Sequence, residues 1–264
     1  MHFWNGNKSE IRQAHEMAVI RAIRDVALNG QAIIEDKQNF PGAKEEGEIF
    51  QRGFDLTTTV AGNPKFKPGG YLEVASPLCG GILGCRVLVV RQEDLTLFTE
   101  VSSEQLKKCV AGIPDTWADA KIMASNGYRL IEHGTLEDIF SLLQEKQCDY
   151  IPLGINEVEA LFNQHAHIAT GLAIEPTLML YYPLPIVIYV NPDYTELHKL
   201  LCDGVKALQD SGQLQAFYQQ YYADSVQCMQ PQNRRLIYLK NPSLTANWAS
   251  LTPFNTVTQL NQPK

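Results

Sequence analysis

Arg86 stands inside the apolar run Cys85-Arg-Val-Leu-Val-Val90, and a guanidinium placed there must pair or reach a polar cleft, because an unpaired buried charge is costly. It is the leading candidate for a ligand-holding cation. Thr116 and Trp117 open a helical pattern, where a threonine cap and the next amides can receive an anion or a carbonyl; a plain N-cap fits the same residues. Trp117 and Trp4 can each stack on a ligand and donate one indole hydrogen bond, or simply fill a core. Tyr150 and Glu157 flank the turn Pro152-Leu-Gly154, although a glutamate in a first helical turn also complements the helix dipole. Thr59 lies in the β-branched run Gly53 to Val60 and joins the candidate ligand contacts, as do Cys79 and Gly80.

Cys79 beside Gly80-Gly81 has glycine amides that lower a thiol pKa, but a nucleophile needs a base and no histidine can be assigned to it. His165-Ala-His167 puts two imidazoles on one side of an extended chain, without a third ligand at a familiar spacing. Gly-x-Ser-x-Gly, Walker A and His-Glu-x-x-His are absent from the sequence. The expectation is therefore binding, with no catalytic residue, no metal and no cofactor. Asp55 and Asp149, in apolar strands, are expected to cap local backbone.

The elements that must position these residues alternate. Ser9 to Leu28 carries apolar residues at helical spacing with Gly30 as a stop, and is followed by a short strand at Ala32 to Asp36. A helix at Lys44 to Arg52 and a strand at Gly53 to Val60 follow, then strands at Tyr71 to Ala75 and Cys85 to Val90 around the loop Pro77-Leu-Cys-Gly-Gly81. From Ser103 to Gln164 helices and strands alternate: helices at Ser103 to Lys107, Thr116 to Ser125, Leu136 to Glu145 and Asn156 to Gln164, strands at Lys108 to Ala111, Tyr128 to Glu132 and Asp149 to Leu153. Helices that start just past strand ends aim unpaired N–H groups outward, and in open parallel sheets such edges line ligand crevices. Extended runs at Thr177 to Pro183 and Ile186 to Val190, helices at Tyr194 to Asp210 and Gln213 to Ala223, a strand at Leu236 to Leu239 and a loosely packed tail complete the chain.

With 264 residues the chain can bury a sizeable core in one large domain or two lobes. A net charge of -7 argues against a nucleic-acid partner, which needs clustered Lys and Arg; Arg234-Arg235 is too small a cluster. No apolar run approaches the roughly 20 residues that span a bilayer, so a soluble protein is expected. The start, Met1-His-Phe-Trp-Asn5, reads as the tail of a strand with little before it, which suggests a removed leader. The six cysteines lack zinc spacing and most are expected to be buried thiols; their number leaves the redox compartment open.

The order of elements, with Gly53-Phe-Asp-Leu56, Val74-Ala-Ser-Pro77, Leu88-Val-Val90, Gly112 to Trp117, Asp149-Tyr150 and Ser211-Gly-Gln213, resembles the type II periplasmic solute-binding proteins, in particular the amino-acid-binding proteins of ABC transporters. The likeness covers roughly Phe3 to Ala223. Trp117-x-Asp119, Asp149-Tyr-Ile-Pro152 and Glu157 look like an uncharacterised branch of that superfamily. The resemblance implies an α/β, two-lobed fold: lobe one from residues 1–91 and 187–264, lobe two from 92–186 inserted into it, and hinge crossovers near Val90 and Pro185 to Val190. It makes Arg86 the lobe-one cation and sets Trp4 and Trp117 at the inner ends of opposite lobes.

Two features of the amino-acid binders are missing. Pro68-Gly-Gly70 stands where their carboxylate-clamping arginine would be, and Lys65 or Lys67 would replace its bidentate fork only poorly. The acid that holds the α-ammonium falls near Gly154. The resemblance thus implies a non-catalytic periplasmic monomer that closes on a small polar solute in an interlobe cleft, read by an ABC permease or a membrane sensor. Two alternatives stay open: an enzyme on the same fold using Cys79, Glu157 or a histidine, and the sensory domain of a larger membrane receptor.

Overall fold

The computed structural model describes residues 1–40, 42–244 and 248; most of the expected loose tail lies outside them. The described residues form two compact units, one from residues 1–81 and 184–224, the other from 82–183 and 225–244.

The first unit holds a five-stranded sheet in the order β2-β1-β3-β11-β4. Its strands are β1 (His2–Trp4), β2 (Ile34–Asp36), β3 (Leu56–Val60), β4 (Leu72–Val74) and β11 (Ile186–Val190). β1 runs parallel to β2 and β3, whereas β11 returns antiparallel between β3 and β4. Its helices are α1 (Glu10–Ala27), the short α2 (Ala43–Gly47) and α8 (Thr195–Asp210), and α9 (Gln213–Cys228) carries the chain onward. Phe3, Ile20, Ile23, Leu56, Val187, Ile188, Leu201 and Val205 are buried from these elements, each such side chain contributing about 1.5–3 kcal/mol over its exposed state. Gly204 lets α8 approach α1, since a Cβ there would lie 2.5 Å from Ile23 Cγ2.

The second unit is built on β5 (Cys85–Arg91), which is buried from Cys85 to Val90. Its sheet follows the order β12-β10-β5-β8 with β9 also on β5, the other strands being β8 (Ile151–Gly154), β9 (Leu172–Ile174), β10 (Leu178–Tyr181) and β12 (Arg235–Tyr238). β6 (Val110–Ile113) and β7 (Arg129–Glu132) form a parallel pair, joined to the strand entering β8 through Ala111 and Tyr150. Around them lie α3 (Leu95–Thr99), α4 (Ser103–Leu106), α5 (Ala118–Ser125), α6 (Leu136–Gln144) and α7 (Val158–Gln164). Two starts are fixed by capping boxes, Ser102 with Gln105 before α4 and Thr135 with Asp138 before α6, which satisfy otherwise orphaned amides.

The expected division after residue 91 differs from the observed one, for a simple reason. β5 hydrogen-bonds with β8, β9 and β10, all of the second unit, so Val90 lies inside that unit. The return falls at Pro183 and Leu184, and residues 225–244 go to the second unit because β12 pairs with β10 in parallel. α3 and β9 were not expected from the sequence. α9 continues to Cys228, past the expected end at Ala223.

Candidate functional site

In the second unit, a run of chemistry-bearing side chains collects at one edge of the sheet. β6 and the segment entering β8 run parallel, so their carboxyl ends share an edge, and the chain leaves them toward α5 and α7. β5 is antiparallel to β8 and starts at that edge, where β10, antiparallel to β5, ends. Thr116 to Asp119, Gly154 to Glu157, Arg86 and Tyr182 are therefore brought to a single edge by topology, the edge at which open α/β sheets bind ligands.

Arg86 is 2% exposed and fully committed on one side. Its Nη2 lies 2.8 Å from Asp119 Oδ1, and its Nε donates to Tyr182 Oη at 3.1 Å. The Tyr182 hydroxyl donates in turn to Asp119. Burial works against the guanidinium charge, but Asp119, Tyr182 and Glu157 outweigh it and raise the Arg86 pKa above its ordinary value, while burial and Asp119 push the Tyr182 hydroxyl well up. Arg86 thus belongs to the second unit and pairs with Asp119. The expectation of a lobe-one cation is corrected, because the partners of β5 decide its unit and sequence distance from lobe one does not.

Across the β5–β8 ladder Arg86 stands opposite Gly154. A Cβ on Gly154 would lie 2.9 Å from Arg86 Nη1, 2.9 Å from Asn156 Oδ1 and 3.2 Å from Glu157 Oε1, so only glycine lets these three side chains converge. Asn156 is 0% exposed and Glu157 occupies the N-cap position of α7 rather than its first turn. Thr116 is not the cap of α5; Trp117 holds that position, and Thr116 adopts φ 70° with its amide donating to Glu132 Oε1 at 2.9 Å. A β-branched residue in the left-handed region is strained backbone. Trp117 is half-buried. Tyr150 is fully buried against Phe98 at 5.9 Å, in the core of the unit, and burial raises its pKa well above the ordinary phenol range.

In the first unit, the ends of the parallel strands β1 and β3 carry a second polar group. Lys8 Nζ lies 2.7 Å from Glu16 and donates to Asn5 Oδ1 at 3.1 Å and Thr58 Oγ1 at 2.5 Å. Arg12 binds the other oxygen of Glu16 at 2.9 Å, and Thr58 donates to Glu16 as well. Burial pushes the Lys8 ammonium down to about 8 although Glu16 pulls it up; Arg12 and Lys8 hold the Glu16 carboxyl down to about 2 against burial. Trp4 is 1% exposed, and its indole N–H already donates to Gln38 O at 2.9 Å beside Phe40. Thr59 Oγ1 accepts from Asn63 Nδ2 at 2.8 Å. Cys79 is buried and Gly80 takes φ 61° in the turn that follows β4.

Asp55 and Asp149 cap backbone: Asp55 accepts from His2 N and Asp149 from Val110 N. The two histidines of His165-Ala-His167 part company, His165 stacking on Phe140 and His167 lying 3.5 Å from Glu137. Cys79, Cys85 and Cys148 are buried, Cys109 and Cys202 half-buried and Cys228 exposed. No helix among the described residues is long and apolar enough to cross a membrane. Asp119, Tyr182 and Asn156 were not singled out from the sequence as ligand contacts. An aspartate and an asparagine placed just after strand ends were the available signal; Tyr182 had none.

No family model and no curated protein sequence matches the chain. Solved structures do. The Bordetella pertussis BvgS VFT2 domain is similar at a TM-score of 0.62 and 14% identity, over 84% of this chain and 92% of that one. A periplasmic His/Glu/Gln/Arg/opine family-binding protein from Silicibacter pomeroyi, in complex with lysine, is similar at 0.59 and 10% identity, over 84% and 96%. A histidine kinase sensor domain with similarity to periplasmic binding proteins is similar at 0.58 and 14% identity, over 84% and 95%. At these identities the likeness establishes architecture: the chain has the α/β type II periplasmic-binding-protein fold.

Proposed function

We propose that this chain is a non-catalytic receptor for a small polar solute, and that hinge closure on binding reports occupancy to an ABC permease or a membrane sensor. The fold supports the reading, since it is matched over nearly the whole length of a binding protein and of a sensor domain. Buried, hydrogen-bonded charges at the carboxyl edge of the second unit support it further, because such groups position a polar ligand where water is excluded. A ligand that gains contacts only in a closed form shifts the open–closed equilibrium by its differential affinity. The proposed setting is periplasmic, with the chain acting as a monomer.

Transport and sensing divide on the partner. A histidine kinase sensor domain and the BvgS VFT2 domain stand among the similar structures beside amino-acid-binding proteins, which supports keeping a sensory role beside uptake. Native mass spectrometry of freshly purified protein, followed by a thermal-shift screen of amino acids, peptides, sugars and organic acids, tests the reading. A co-purified or stabilising solute that is recovered unchanged is expected. Turnover of that solute, lost on Cys79→Ala or Glu157→Ala, would replace the receptor with an enzyme.

A further inference from the structure

Three polar atoms at the edge of the second unit have hydrogen-bonding capacity that the described residues do not use. Arg86 Nη1 and both ends of the Asn156 carboxamide, Nδ2 and Oδ1, are shut from solvent without a partner among the described residues. Native proteins satisfy nearly all such groups, so orphans call for an occupant. These are also neighbours. Arg86 and Gly154 are cross-strand partners, Asn156 follows two residues later, and Nη1 and Oδ1 each lie within 2.9 Å of one point, where a Gly154 Cβ would stand. The remaining arms of the guanidinium are engaged, Nε by Tyr182 and Nη2 by Asp119, which leaves Nη1 turned toward Gly154.

We propose that Arg86 Nη1 and Asn156 are the solute-recognising groups of this unit, and that they take an uncharged carboxamide. The inference rests on the receptor reading and names its ligand class. A carboxamide oxygen accepts from Nη1 and from Asn156 Nδ2, while its N–H donates to Asn156 Oδ1, so all three orphans are matched by one planar group. Charge excludes the obvious rivals. A bare carboxylate offers only acceptors, so it leaves Asn156 Oδ1 unmatched and sets a second anion beside Asp119, which already pairs with the guanidinium. An ammonium has only donors to offer the donors Nη1 and Nδ2. This differs from recognition of an α-ammonium by an acid, because Gly154 occupies the place where that acid is expected.

The test is ¹H–¹⁵N NMR of the full chain with three probes of one shape: propionamide, propionate and propylammonium. Propionamide is expected to shift the Asn156 side-chain amide and the Gly154 N–H saturably and to raise the melting temperature, with neither effect from the charged probes. Equal responses to all three, a stronger response to a charged probe, or no response overturns the inference. So does a long-lived internal water at the Asn156 amide that propionamide leaves in place.

Asn156→Leu gives an independent reading. Removing orphaned polar atoms at similar volume is expected to raise the ligand-free melting temperature by about 2–4 °C and abolish the propionamide response. A lower melting temperature makes Asn156 structural and overturns the inference; if the variant does not fold, that result counts the same way and the wild-type titration stands beside it. A solute without a carboxamide that compacts the protein would sink this inference and leave the receptor standing. Amide-selective shifts without compaction on any solute would do the reverse.

Discussion

At the scale of single residues, the two buried charge groups are the places where one atom decides much. Asp119 is 3% exposed and Arg86 2%, so Asp119→Ala strands a buried guanidinium; the expected loss in denaturant-unfolding stability is about 3–5 kcal/mol. Replacing both, as Arg86→Met with Asp119→Leu, should cost much less, because it is the unpaired charge that is expensive. His15 supplies a pH dependence. It is fully buried beside Tyr222 at 4.8 Å with neither ring nitrogen partnered among the described residues, and burial pushes its pKa down to about 4, with Glu16 opposing and Arg12 adding to the effect. The unfolded chain binds that proton near pH 6.5 and the folded chain only near 4, so stability falls as pH drops across that window, by about 3 kcal/mol for this group. Urea melts from pH 7 to 4 check it: His15→Phe should flatten that slope, and an unchanged slope would remove His15 from the explanation. Arg86 was legible from the sequence as a charge needing a partner. Which partner was not, because Asp119 lies 33 residues away and is brought near by pairing that no local pattern records.

At the scale of elements, most helices and strands follow from spacing. α1, α6 and α8 carry apolar stripes, and β5, β8 and β11 are buried on both faces, with β5 apolar on both except at Arg86 and Arg91. That double-sided burial also explains the misplaced boundary: a strand apolar over most of both faces announces burial but not its neighbours. α3 and β9 span five and three residues, too few for a period to show. The approach of α1 and α8 gives a test at this scale. Gly204→Val sets a branched side chain against Ile23, whose Cγ2 lies 2.5 Å from the Cβ position; a loss of about 1–3 kcal/mol is expected, as for other overpacked sites. The compensating Ile23→Ala in the same chain should recover part of it, and no recovery would mean that the contact is not what limits α8. Thr135→Ala, which removes the capping box of α6, is expected to cost about 1 kcal/mol in the same assay.

At the scale of the whole molecule, the architecture was readable from the order of weak motifs, each of which carried little alone. Strand ends place Thr116, Trp117, Gly154 and Glu157 at the polar edge of the second unit, while Tyr150 packs in that unit's core and Trp4, in the first unit, donates its indole N–H to Gln38. A sequence marks where strands end; it does not show which side chains have spent their hydrogen bonds elsewhere. The receptor reading requires that solute binding move the two units. Small-angle X-ray scattering, with and without a solute that raises the melting temperature, measures this. A receptor that closes gives a smaller radius of gyration with saturating solute and none with an inert analogue. A stabilising solute that leaves the scattering curve unchanged would contradict closure, and with it the role proposed for this chain.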